Sequence, residues 1–142
     1  FCRADAPGWF MDYAEVQFIF AEAALKGMIP GGEAQAKEYY TNAVTASLEK
    51  WGEYGEYSET PVAMTSAQIN QFLSSDLASW DNASNKEELI GNQKYLALFW
   101  IGMEAYHEYR RTEYPSHTFW LSKNHNGYQQ RACKRSVDEN GW

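Results

Sequence analysis

Cysteine is nearly absent from this chain: there are two in 142 residues, Cys2 and Cys133, near opposite ends. Two cysteines build no disulfide scaffold and their spacing matches no metal motif, although a single bridge between them is arithmetically open. Long apolar runs are missing as well. None approaches the roughly 20 residues that a bilayer-spanning helix needs, and the first residues show no charged stretch followed by an apolar export core. The chain starts at Phe1 with no initiator Met, which points to a longer precursor with any export signal on the missing part. Positive charge is scarce, with 12 Lys and Arg against 19 Asp and Glu and a net charge of −7. Such a chain repels phosphate backbones, and outside the expected helices only Lys134-Arg135 forms a basic cluster, so nucleic acid is not an expected partner. No Gly-x-Ser-x-Gly elbow, phosphate-binding loop, dinucleotide fingerprint or His-Glu-x-x-His is present, and the reading is that the chain is not an enzyme.

What is present suits one globular domain. An apolar content of 44%, rich in Trp, Tyr and Phe, is enough to offset the ordering entropy of a folded chain. Charge is uneven: residues 116–142 carry four Lys and Arg against two acids, leaving eight against seventeen, a net −9, for residues 1–115. The division predicted on these grounds is a helical region over residues 1–115 and an irregular tail over 116–142.

Helical spacing organises the first region. Asp12 and Glu15 stand at capping-box separation, with Met11 and Val16 placed as a hydrophobic staple. Tyr13, Val16, Ile19, Phe20, Ala23 and Ala24 then recur as one stripe, and Gly27 can end the helix in the left-handed conformation, giving a helix of about Tyr13–Lys26. A turn through Pro30-Gly31-Gly32 leads to a second stripe, Ala36 to Trp51, ending at Gly52, and the two should pair as an antiparallel hairpin. Residues 52–64 read as a surface loop. Thr65 and Gln68 open a shorter helix with Ile69, Phe72, Leu73 and Leu77 facing the core, and Trp80-Asp81-Asn82-Ala83 is its exit loop. Ser84 with Glu87 is expected to cap one long helix that runs on to Pro115, apolar around much of its girth from Tyr95 to Met103. The fold class is therefore all-α, about four helices.

Three blocks carry a family resemblance. Met11-Asp12-Tyr13-Ala14-Glu15-Val16-Gln17-Phe18 through Ala21-Glu22-Ala23-Ala24 looks like the Tyr-Ala-Glu-Val signature that opens a tetratricopeptide-type helix pair in SusD/RagB-like proteins. Tyr39-Tyr40 through Ala46-Ser47 resembles the following helix, with Ala43 where glycine is common. Ile90 through Gln93-Lys94-Tyr95-Leu96-Ala97-Leu98-Phe99-Trp100, continuing to Arg110-Arg111-Thr112-Glu113-Tyr114-Pro115, resembles the family's C-terminal block. The most similar branch is the SusD-like group described as starch-binding and associating with the outer membrane. The resemblance implies the C-terminal piece of a longer helical lipoprotein, anchored through lipid on the missing N-terminal part and exposed at the surface of the outer membrane. Its partners would be an oligosaccharide or polysaccharide and a SusC-like TonB-dependent transporter, with no cofactor. Beyond Pro115 only Arg131 and Asp138-Glu139-Asn140 loosely follow the family pattern.

Sugar rings need flat apolar faces beside groups that meet hydroxyls. Trp80, Asp81 and Asn82, together with Tyr54 and Tyr57, have that composition on expected loops and are the candidate ligand-binding residues, set against the plainer reading that large aromatics at helix ends cover core edges. Trp51 and Trp100 fall on apolar stripes and are expected in the core. Gln93, Lys94, Arg110 and Arg111 are expected to tie helices together. His107 with Glu104 has the Glu-x-x-His spacing of di-iron bundles, but a centre needs further ligands, so a packed, hydrogen-bonded histidine is expected and no metal. His117 and His125 are expected to be solvated. The alternative to sugar binding is a helical-repeat module whose ligand is a protein.

Overall fold

The computed structural model describes residues 8–54 and 63–116, with Glu53 and Tyr54 described as backbone only. Five helices account for the described residues: α1 (Tyr13–Leu25), α2 (Gly32–Tyr54), α3 (Ser66–Leu73), α4 (Lys86–Ala97) and α5 (Glu104–Thr112). The fold class is all-α, as expected.

The start of α1 is held by Asp12, whose carboxylate accepts the Glu15 N–H at 2.7 Å. Its end is a Schellman turn: Gly27 takes φ +70°, and the Met28 N–H reaches the Ala23 carbonyl at 2.8 Å. The chain then reverses, and α1 packs on α2 as the expected hairpin. The buried face of α1 is Ala14, Gln17, Phe18, Ala21 and Ala24, not the stripe containing Ile19 and Phe20, which are both exposed. α1 is apolar around most of its girth, so spacing alone did not single out one face. Packing did, because Ala21 and Ala24 share the core with Ala36 and Ala43 of α2, small residues that allow the backbones to approach closely. Met11, expected to staple onto Val16, is exposed.

Tyr40 of α2 is the centre of the core. Its ring meets Phe18 edge-on at 6.2 Å and lies 5.2 Å from Trp80, while its hydroxyl donates to the Ala78 carbonyl at 2.8 Å. Burial holds that phenol well above its ordinary titration range.

α3 begins with the predicted capping box between Thr65 and Gln68 but stops at Leu73. The Ser74 and Ser75 hydroxyls donate to the Asn70 and Phe72 carbonyls, and the turn that follows leaves Leu77 exposed. α4 is capped by Asn85 rather than Ser84, its side-chain oxygen accepting from Glu87 and Glu88 N–H at 3.1 and 3.2 Å.

The long helix expected to reach Pro115 is two helices. Between them Leu98 and Ile101 are fully buried, whereas Trp100 and Gly102 adopt positive φ of 69° and 49°. A helix cannot turn Leu98, Phe99, Trp100 and Ile101 all inward. Breaking it at Trp100 buries the two aliphatics and turns the two aromatics out. α5 then folds back on α4, and Tyr114 lies against Gly91, where an added Cβ would stand 2.6 Å from the Tyr114 Cβ.

Candidate functional site

Charged residues of the first and last motif-bearing blocks meet where the side chains of α1, α4 and α5 converge. Arg111 forks onto Glu22 and also reaches Glu108 at 2.6 Å; Glu108 accepts from Lys94 at 2.9 Å, and Glu22 from Lys26 at 2.6 Å. Cations and carboxylates alternate from Lys26 through Glu22, Arg111 and Glu108 to Lys94. Gln93 adds a cross-segment bond, donating to the Leu77 carbonyl at 3.0 Å. The Arg111 guanidinium holds the Glu22 carboxyl down at about 2, which makes it a structural anion rather than a proton donor near neutrality. A cleft of about 180 Å³ lies here beside Glu87 and Tyr114, but its main charged groups already hold one another. These residues tie helices, as the sequence suggested for Lys94 and Arg111.

A second buried pair sits where α1, α2 and α4 meet. Lys50 donates to Asp12 at 2.6 Å and to the Ala97 carbonyl at 2.9 Å. Glu15, beside it, is buried with Oε2 lacking a hydrogen-bond partner among the described residues, and burial pushes its carboxyl above the ordinary value. His107 is exposed, not packed in the core: α5 turns its Glu108 side inward and leaves Glu104 and His107 at the surface. Among the described residues no three metal-ligating side chains gather.

The residues singled out for sugar contact fall into three situations. Trp80 is 5% exposed, one face on Tyr40 and the Lys86 ammonium 5.6 Å from its ring centre, so it is a core pillar with no open ring face. That is the plainer of the two readings for an aromatic at a helix end. Asp81 is exposed with its carboxylate gripped by Lys37 at 2.7 and 2.9 Å, which lowers its titration, and Asn82 is exposed beside it. Tyr54 closes α2 but its side chain lies outside the described residues, as does the whole of Tyr57.

An aromatic surface missed by the sequence reading lies at the α4–α5 turn. Trp100, expected in the core, is 58% exposed, and its ring stands 5.8 Å from Phe99, which in turn lies 5.7 Å from Trp51 of α2. Tyr54 follows Trp51 by one helical turn. The positive φ of a bulky residue costs roughly 1–3 kcal/mol, and here it holds an indole outward. The signal was present in Leu98-Phe99-Trp100-Ile101-Gly102: four large apolar residues in succession exceed one helix face, and the glycine permits the break. The rings are tilted by 54° and 39° to their neighbours, so they present separate hydrophobic faces and not one flat surface.

Comparison of the chain with curated proteins and with solved structures gives no match in either. A family model does match, over residues 1–132, and its description is starch-binding associating with outer membrane. Because that match spans nearly the whole chain, the chain belongs to the SusD-like family.

Proposed function

We propose that this chain binds oligosaccharide or polysaccharide without transforming it, at the outer surface of a Gram-negative cell. In this reading its parent is a surface-exposed lipoprotein of the outer membrane that delivers glycan to a SusC-like TonB-dependent transporter, and α1 with α2 is a tetratricopeptide-type pair. The family match over residues 1–132 is the observation that carries the proposal. The outward Phe99 and Trp100 rings, backed by Trp51, support it by offering stacking faces. Tyr54 and Tyr57 are further candidates for stacking on sugar rings, and Asp81 and Asn82 for contacts to hydroxyls.

The test is calorimetric titration of the chain and of Trp100→Ala with maltoheptaose. Binding is expected with no sugar cleavage, and the variant should bind about tenfold more weakly, since losing one stacking ring costs about 1.4 kcal/mol. Thermal stability should change little. No heat of binding, with a protein partner captured through the same apolar surface, would favour the alternative of a protein-interaction module.

A further inference from the structure

A cleft of about 230 Å³ opens at the start of α1, away from the charged chain that joins α1 to α5. Trp9 and Tyr13 form its aromatic walls, Ala14 and Ala46 leave the space open, and Glu49 stands exposed at its rim. Its floor is the Asp12–Lys50 pair, whose charges cancel at 2.6 Å and whose remaining bonds go to the Glu15 N–H and the Ala97 carbonyl.

We propose that this cleft is a separate subsite that takes a single uncharged pyranose ring of a glycan. Size decides the number of rings, because pockets for drug-sized ligands begin near 300 Å³ and this one is smaller. Chemistry decides the class. An anionic ligand would meet the Glu49 carboxylate, and a cationic one would find a face of the Trp9 ring already taken by the Lys50 ammonium, 6.0 Å from its centre. A neutral polyol instead places its C–H face on Tyr13 or Trp9 and donates hydroxyl protons to Glu49. The assignment rests on the glycan-binding reading but uses none of the residues at the α4–α5 turn.

Indole N–H signals distinguish the two sites in a maltoheptaose titration followed by nuclear magnetic resonance, with Trp9→Phe and Trp100→Phe assigning the peaks. The Trp9 signal is expected to shift. Glu49→Gln and Tyr13→Ala should weaken that shift about tenfold in affinity and leave the Trp100 response intact. Both side chains are exposed, Tyr13 by 61%, so both variants should fold. If Trp100 responds and Trp9 does not, or if both variants bind at Trp9 as the parent does, the cleft is not a sugar subsite although glycan binding stands. If neither indole responds, both readings fall.

Discussion

Arg111 of α5 grips Glu22 of α1 across 89 residues of chain, Nη1 to Oε1 at 2.7 Å and Nη2 to Oε2 at 2.5 Å. This two-point contact, with Glu108 sharing the guanidinium, closes the last helix onto the first. Arginine suits the position because its planar fork matches a carboxylate, which a lysine ammonium cannot do.

Removing the fork gives a prediction with a pH signature. Arg111→Ala should cost only about 1 kcal/mol at neutral pH, because the Arg111 side chain is 47% exposed and solvent screens the pair. Glu22 titrates near 2 in the fold against an ordinary 4.5, so its contribution is fully present above the ordinary value and is lost as pH falls through about 2. Urea unfolding at pH 7 and pH 2.5 should therefore show the gap between parent and variant narrowing in acid.

Two phenylalanines two residues apart should differ sharply. Phe18 has no exposed surface and contacts Tyr40, so Phe18→Ala should cost about 3–5 kcal/mol through transfer and cavity terms. Phe20 is 41% exposed and meets only the edge of the core through Tyr39 at 5.4 Å, so Phe20→Ala should cost about 1 kcal/mol. Chemical denaturation of both variants checks which face of α1 is buried.

Glu15 gives the opposite pH dependence to Glu22. Burial first, then the neighbouring Asp12, Glu104 and Glu108, push its carboxyl up against the pull of Lys94. The folded state then binds more protons than the unfolded one between the ordinary 4.5 and the raised value, and stability falls as pH rises through that window. Glu15→Gln should remove this step and melt higher than the parent at neutral pH, as thermal melts across a pH series would show.

Gly91→Ala tests the seat of Tyr114. The new Cβ would stand 2.6 Å from the Tyr114 Cβ and 3.1 Å from Cδ2, and backbone must shift to relieve it. A loss of about 1–3 kcal/mol is expected, with weakening of the bond from the Asn85 amide to the Tyr114 hydroxyl, now 3.0 Å. An unchanged melting temperature would mean that Tyr114 does not rest on α4.

The sequence by itself determined the helical class, the α1–α2 hairpin, the Gly27 stop and the Asp12 and Thr65 caps, because each depends on bonds within a few residues of the chain. The family was legible for a similar reason, its motifs being local strings. Three-dimensional packing decided what no local string specifies. α1 offers apolar residues on most sides, and only the close approach of α2 chose Phe18 over Phe20. The Leu98–Ile101 run was equally compatible with a continuous helix until the core had room for two of its four large side chains, which turned Phe99 and Trp100 outward. Trp80 went the other way, drawn from an expected loop into the core because the Tyr40 ring and the Lys86 ammonium flank it. Burial is a property of which surfaces meet, and residues far apart in the chain set it.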